Sequence, residues 1–170
     1  MNIPNFITLI RFFLIPVFII SFFYSQNNSL LYPMIIFLIS GVSDVLDGYI
    51  ARKYNLITKF GTMLDPLADK LMLITVLSCL VIKNYIPVWI VVFIIIKELS
   101  MIIGGILLLN RDTVVSSNFY GKLSTFLFYI SIFTLVFSTV LGKVMIYISV
   151  LTSFIALINY LTIYIKNISA

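Results

Sequence analysis

Several residue types that commonly carry chemistry are missing or nearly missing from this chain of 170 residues. There is no histidine, which excludes imidazole as a base, a nucleophile or a metal ligand. The single cysteine, Cys79, lies in an apolar run, so the chain can form neither an internal disulfide framework nor a thiolate metal site. We interpret Cys79 as a packing residue.

Charge is also scarce. Charged residues make up 10% of the chain and hydrophobic residues 62%, with a mean hydropathy of +1.18. Soluble domains are roughly 45–50% apolar, so the composition predicts an integral membrane protein. No polar stretch is long enough for a second domain, and residues 1–170 are expected to form one transmembrane domain. The net charge of +5 is scattered between apolar segments, which argues against a nucleic-acid partner.

The apolar segments have the length of membrane-spanning helices. A span needs about 20 apolar residues, and six such segments follow one another along the chain. None alternates as a barrel strand does, so we predict an all-α membrane protein, a bundle of six transmembrane helices. The predicted helices are Ile3 to Tyr24, Leu30 to Lys53, Phe60 to Lys83, Ile86 to Leu109, Asn118 to Leu141 and Val144 to Ile165.

With six spans, the basic residues separate by membrane face. One face receives Arg52, Lys53, Lys59, Arg111 and Lys166. The opposite face receives Lys83 and Lys143. Because the face richer in Lys and Arg is usually cytoplasmic, we expect a multi-pass protein of the plasma membrane whose acidic segment, described next, faces the cytoplasm.

Four of the six acidic residues lie in the second and third predicted helices. Asp44 and Asp47 are three positions apart, and Asp65 and Asp69 are four apart, so each pair shares a helix face. A buried aspartate costs roughly 2.5–3.5 kcal/mol at the centre of a membrane helix, so this cluster needs cationic partners. Pro66 leaves a second possibility for helix three, which would begin there with Asp65 as its N-cap.

Two kinds of partner are open for the four carboxylates. Basic side chains would make the cluster a structural ion-pair network, and the candidates are Arg11, Lys70, Lys97 and Lys122. Divalent cations match the three- and four-residue spacing better. Oxygen ligands prefer hard ions such as Mg²⁺, Mn²⁺ or Ca²⁺, and two of these would balance four carboxylates. Such a pair of ions stabilises charge on a transferring phosphoryl group, and the small residues Gly48, Ala51 and Gly61 leave room for a diphosphate.

The complete pattern resembles a known family. It reads Asp44-x2-Asp47-Gly48-x2-Ala51-Arg52-x8-Gly61-x3-Asp65-x3-Asp69. Eight fixed residues at seven fixed intervals resemble the signature of the CDP-alcohol phosphatidyltransferases. The resemblance implies that the hydroxyl of an acceptor alcohol attacks the β-phosphorus of CDP-diacylglycerol and that CMP leaves. It also implies two divalent cations, Mg²⁺ or Mn²⁺, and a homodimer embedded in membrane lipid.

The same resemblance implies a role for each residue of the pattern. Asp44, Asp47 and Asp65 would hold the two ions, and Asp69 would complete the metal shell and act as the catalytic base. The residues implied to contact the CDP-linked lipid are Gly48, Ala51, Arg52 and Gly61.

The beginning of the chain resembles one branch of the family. Asn2-Ile3-Pro4-Asn5-x-Ile7-Thr8-Leu9-x-Arg11 is similar to the start of the phosphatidylglycerophosphate synthases, whose acceptor is glycerol 3-phosphate. Asn5, Thr8 and Arg11 are spaced by three, so all three are expected on the face of helix one towards the site. We assign Asn5 and Thr8 to CDP-lipid binding. For Arg11 a second interpretation is open, in which it only extends to the cytoplasmic interface.

The acceptor pocket is less explicit in the sequence. Glycerol 3-phosphate carries a dianionic phosphate, and the basic candidates for binding it are Lys97, Arg111 and Lys122. Lys97 stands where the synthases have an arginine, which would bind phosphate in two-pronged fashion. The pair Gly104-Gly105 resembles the cardiolipin synthases of the same family, whose acceptor is phosphatidylglycerol. We predict glycerol 3-phosphate as the acceptor, with phosphatidylglycerol or the acceptor of another family member as the alternative.

Two functions outside the family remain as remote alternatives. An intramembrane prenyltransferase also uses aspartate-rich helices and Mg²⁺, but it usually carries a second aspartate motif far along the chain. An ion transporter usually distributes its acids along a path or within a repeat. Beyond helix three this chain has only Glu98 and Asp112 as acids, which disfavours both.

Overall fold

The computed structural model describes residues 3–25, 30–54, 59–109 and 119–169. Every regular element in these ranges is an α-helix, which confirms the predicted all-α class. The helices are α1 (Ile3–Tyr24), α2 (Leu31–Lys53), α3 (Lys59–Ile82), α4 (Val88–Leu109), α5 (Phe119–Phe137) and α6 (Thr139–Ser169).

The first four helices begin and end within two residues of their predicted bounds. Because α3 begins at Lys59, Asp65 lies inside the helix. The alternative in which Asp65 caps a helix starting at Pro66 is therefore wrong. Asp65 and Asp69 lie on one continuous helix, so their four-residue spacing places them on the same face.

The predicted boundary between the last two helices is wrong. Helix α5 ends at Phe137 rather than Leu141, and α6 begins at Thr139 after the single non-helical residue Ser138. The Ser138 hydroxyl accepts a weak hydrogen bond from the Leu141 amide at 3.4 Å, as an N-cap side chain does. Gly142 permits the sharp reversal, because a Cβ there would lie 2.6 Å from Leu135 Cγ.

Four helices of the described chain are long and apolar enough to cross a membrane. These segments are Ile7–Tyr24, Leu31–Ala51, Phe119–Phe137 and Thr139–Thr162. Large apolar side chains on their outer surfaces are exposed, among them Phe13, Val45 and Leu151. The chain is therefore a membrane protein with six helices in its described ranges, and a count of six spans stays a prediction.

The chain divides into two compact units, Met1–Asn84 and Tyr85–Ala170. The expectation of one domain stays a prediction. In the first unit each of α1, α2 and α3 contacts the other two. Its buried apolar side chains include Phe18, Phe22, Met34, Phe37, Met72, Val76, Leu77 and Leu80. These positions lie in the second half of α1, the first half of α2 and the second half of α3, and the opposite halves hold the polar residues of the candidate site.

The second unit contains α4, α5 and α6, with α6 contacting both other helices. Small residues are buried along the α5–α6 pair: Ser124, Ser131, Ser149, Ser153 and Ala156. Small residues let membrane helices approach closely. The hydroxyls of Ser131 and Ser149 donate to carbonyls of their own helices, Phe128 and Met145, at 2.9 Å each, so their polarity is satisfied without a ligand.

Candidate functional site

The polar face of α2 carries the first half of the candidate site. Asp44, Asp47, Gly48 and Ala51 follow one another at intervals of three, one and three, which places them along one side of the helix. Asp47 is buried, with 2% of its surface exposed, whereas Asp44, Gly48 and Ala51 are half-buried. This face therefore runs from the interior of the unit to its surface.

The polar face of α3 carries the second half. Gly61, Asp65 and Asp69 are spaced by four, and Ala68 beside them is fully buried. Gly61 is buried, and both carboxylates are half-buried. Small residues accompany the acids on α3 as they do on α2, so little side-chain bulk lies beside the carboxylates on either helix.

Helix α1 joins the two acidic faces through Arg11, whose surface is 0% exposed. Its Nη1 donates to Asp44 Oδ1 at 2.6 Å, and its Nη2 pairs with Asp47 Oδ2. Nη1 also lies 3.4 Å from the backbone carbonyl oxygen of Asp65. The interpretation in which Arg11 only extends to the membrane interface is therefore wrong, because the side chain points into the acidic cluster.

Thr8 contacts the same cluster one turn earlier on α1. Its hydroxyl is 1% exposed and donates to Asp65 Oδ1 at 2.5 Å. Thr8 and Arg11 are three positions apart, so both side chains leave the same face of α1. Thr8 and Arg11 both face the acidic cluster, as their spacing predicts, whereas the direction of Asn5 stays a prediction because its side chain lies outside the described residues.

The donor set of this cluster consists of oxygen atoms, which fits hard divalent cations. As they stand, no three acidic side chains among the described residues are close enough to hold one ion. The guanidinium of Arg11 lies against Asp44 and Asp47 and supplies one positive charge there. Of the two kinds of partner that the sequence leaves open, the structure therefore shows a basic side chain, Arg11, at Asp44 and Asp47, and the binding of divalent cations by this cluster stays a prediction.

Not every predicted site residue can be placed. The side chains of Asn5 and Arg52, and the whole of Arg111, lie outside the described residues. In the second unit Lys122 is exposed near the start of α5. Lys97 is only 4% exposed, and its Nζ donates to Glu98 Oε1 at 2.7 Å, so its charge is balanced by its neighbour.

A family comparison shows to which proteins the chain is related. The sequence model of the CDP-alcohol phosphatidyltransferases matches residues 1–155, which include α1 to α5 and all four aspartates. The chain belongs to the CDP-alcohol phosphatidyltransferase family. The predicted family is confirmed, and with it the assignment of the chain as a transferase.

Individual members of the CDP-alcohol phosphatidyltransferase family are similar over long stretches. A protein of Wigglesworthia glossinidia brevipalpis named CDP-diacylglycerol--glycerol-3-phosphate 3-phosphatidyltransferase is 31% identical over 174 residues, 94% of this chain and 93% of that protein. A Bacillus subtilis protein of the same name is 40% identical over 73% of this chain and 70% of its own length. A probable phosphatidylglycerophosphate synthase of Mycobacterium tuberculosis is 32% identical over 74% of this chain and 61% of its own length.

The structure adds Arg11 to the residues assigned to the site. The sequence places Thr8 in the site and leaves three roles open for Arg11: an ion-pair partner of the aspartates, a residue on the face towards the site, and a charge that extends to the interface. The available signal was the three-residue spacing from Thr8 to Arg11, which is enough to put both side chains on one face. This spacing does not show whether that face points inward, because α1 is apolar nearly all round and its inward face is not marked in the sequence.

Proposed function

We propose that this member of the CDP-alcohol phosphatidyltransferase family transfers a phosphatidyl group from CDP-diacylglycerol to glycerol 3-phosphate, giving phosphatidylglycerophosphate and CMP. The relatives above support this choice of substrates through their names. The observation that carries the proposal is the convergence of Asp44, Asp47 and Asp65 on two side chains of α1. Three of the four acids of the signature thus contact the same face of α1, which supports the proposal.

In this proposal Asp44, Asp47, Asp65 and Asp69 hold two divalent cations, Mg²⁺ or Mn²⁺. When bound, the ions supply positive charge that stabilises the transferring phosphoryl group. Asp69 accepts the proton of the acceptor hydroxyl while the oxygen of that hydroxyl forms a bond to the β-phosphorus. The bond from that phosphorus to the oxygen of CMP breaks, and CMP leaves with the bonding electrons.

The CDP-diacylglycerol would lie along the small-residue faces. Gly48, Ala51 and Gly61 offer backbone surface without long side chains, and Arg52 and Asn5 are proposed as further contacts. Thr8 is proposed as a lipid contact as well. Its hydroxyl already donates to Asp65, which supports orientation of that carboxylate as its first role.

The acceptor would be bound by Lys97, Arg111 and Lys122. The exposure of Lys122 supports access to a phosphorylated alcohol. The Lys97–Glu98 pair makes Lys97 a weaker candidate for attracting a dianion, because its charge is already neutralised. We also propose six membrane spans in the plasma membrane, a site open to the cytoplasm and a homodimer; the excess of Lys and Arg in one set of connections supports the orientation.

The test uses the full chain in detergent micelles with CDP-diacylglycerol and Mg²⁺ or Mn²⁺. Glycerol 3-phosphate, phosphatidylglycerol, serine and inositol phosphate are offered separately, with CMP measured by chromatography and the lipid product by mass spectrometry. We expect CMP and phosphatidylglycerophosphate with glycerol 3-phosphate, and no CMP after chelation. Product from phosphatidylglycerol alone would assign the chain to cardiolipin synthesis. Absence of CMP with every acceptor would overturn the proposal.

A further inference from the structure

Arg11 makes more contacts than a topology charge needs. It extends from α1 to the carboxylates of Asp44 and Asp47 on α2 and to the backbone of Asp65 on α3, with none of its surface exposed. A buried charge is tolerated only when it is paired and hydrogen-bonded. The three helices of the first unit are therefore joined by one guanidinium, which contacts the side chains of Asp44 and Asp47 and the backbone of Asp65.

This guanidinium and a divalent ion compete for the same two carboxylates. Each terminal nitrogen of Arg11 contacts a different carboxylate, so the side chain occupies the space between Asp44 and Asp47. Like charges repel strongly at short range where water is excluded. An ion held by both carboxylates would therefore meet a positive charge at close range unless Arg11 moves away.

The guanidinium is also incompletely satisfied where it lies. Its Nε–H is buried and has no acceptor among the described residues. A buried donor without a partner weakens the net stabilisation that the surrounding contacts give. Arg11 is thus held by two charged contacts and one weak one, while its Nε–H makes none, so a divalent ion that binds both carboxylates can displace it.

We propose that Arg11 is a positioning residue that occupies the cation position of the acidic cluster, and that divalent ions bind by exchange with its guanidinium. Arg11 then holds Asp44 and Asp47 together and offsets one of their two negative charges before an ion binds, and it sets the affinity for that ion. This inference depends on the proposed function, because it assumes that these carboxylates bind cations.

The exchange predicts that loss of the Arg11 charge strengthens ion binding. An opposite charge beside a carboxylate changes the pKa of that carboxylate by about 1–3. Because the same positive charge also repels a metal ion that approaches the carboxylate, Arg11→Gln should bind a divalent ion at least about tenfold more tightly than the unaltered chain. Arg11→Lys keeps the charge but lacks the planar fork that contacts two carboxylates. Its affinity should lie between those of Arg11→Gln and the unaltered chain.

A matched control removes a positive charge from the same unit at a distance. Lys83 Nζ lies 5.0 Å from the centre of the Phe22 ring. Phe22 is eleven residues beyond Arg11 on α1, or about 16 Å at 1.5 Å per residue. Lys83→Gln should bind ions as the unaltered chain does.

The experiment titrates Mn²⁺ into the full chain in detergent micelles and follows free Mn²⁺ by electron paramagnetic resonance. In parallel, the thermal midpoint is measured in EDTA and in excess Mn²⁺. Arg11→Gln should bind Mn²⁺ at least about tenfold more tightly, with a lower midpoint in EDTA and a larger rise on adding Mn²⁺ than the unaltered chain. A purely structural arginine would lower both midpoints equally.

Three results would overturn the exchange. If Arg11→Gln binds Mn²⁺ no more tightly than the unaltered chain, the exchange is contradicted. Binding of Mn²⁺ by the unaltered chain would in that case still support the proposed cation site. If Arg11→Gln does not fold, affinity of Arg11→Lys equal to or weaker than that of the unaltered chain contradicts it. Absence of Mn²⁺ binding in every variant overturns both the exchange and the cation site of the proposed function.

Discussion

Replacement of Thr8 by valine tests whether α1 orients the proposed metal-binding face of α3. The two side chains have similar shapes, so Thr8→Val removes the hydrogen bond to Asp65 Oδ1 with little change of volume. A hydrogen bond to a charged group contributes about 1.5–3 kcal/mol, and 1.4 kcal/mol corresponds to a factor of ten. Thr8→Val should therefore weaken Mg²⁺ binding or turnover by about 10- to 100-fold. This is the range found when a residue that orients a metal ligand is replaced.

The assay measures CMP release from CDP-diacylglycerol as Mg²⁺ is varied, for the unaltered chain, Thr8→Val and Thr8→Ser. Thr8→Val should need about 10- to 100-fold more Mg²⁺ or lose turnover to that extent. Thr8→Ser keeps the hydroxyl and should remain close to the unaltered chain. Normal Mg²⁺ dependence and turnover in a folded Thr8→Val chain would refute the reasoning, because the hydrogen bond would then have no part in the chemistry.

Three further predictions concern packing, the acceptor and the ions. Gly142→Ala should lower the thermal midpoint, because the contact of the new Cβ with Leu135 costs about 1–3 kcal/mol, whereas the gain in helix propensity is about 1 kcal/mol. Gly121→Ala should leave the midpoint unchanged or higher, because a Cβ added there has nothing within 4 Å. A lower midpoint for Gly121→Ala than for Gly142→Ala would contradict the close approach of Gly142 to Leu135. Lys122→Ala should raise the apparent KM for glycerol 3-phosphate more than that for CDP-diacylglycerol. If the variant and the unaltered chain have the same KM for glycerol 3-phosphate, Lys122 does not bind the acceptor. Chelation should abolish CMP release and added Mg²⁺ or Mn²⁺ should restore it; activity that persists in EDTA would exclude the cation site.

The helices could be predicted from the sequence wherever an apolar run ends at polar residues. Lys53 and Lys59 bracket the connection between α2 and α3, and both bounds were predicted within one residue. The end of α5 had no such marker, since apolar residues continue on both sides of Ser138. The turn there depends on a serine cap and on the close approach of Gly142 to Leu135, a tertiary contact that composition does not reveal.

The acids of the candidate site were recognisable because their spacing is fixed by helix geometry. Asp44 and Asp47 had to share one face, and so had Asp65 and Asp69. The partner of these acids was not recognisable in the same way. Whether Arg11 turns inward depends on how α1 packs against two other helices, and an apolar membrane helix has little polar surface to indicate its orientation.

The most direct measurement of the central claim compares the unaltered chain with Asp69→Asn in one assay. Both are given CDP-diacylglycerol, glycerol 3-phosphate and Mg²⁺, and phosphatidylglycerophosphate is counted by mass spectrometry, with circular dichroism confirming equal helix content. The asparagine retains the shape but cannot accept the acceptor's proton. We predict phosphatidylglycerophosphate from the unaltered chain and none above background from Asp69→Asn. Equal product from both chains would contradict the assignment of the acidic cluster as the catalytic site.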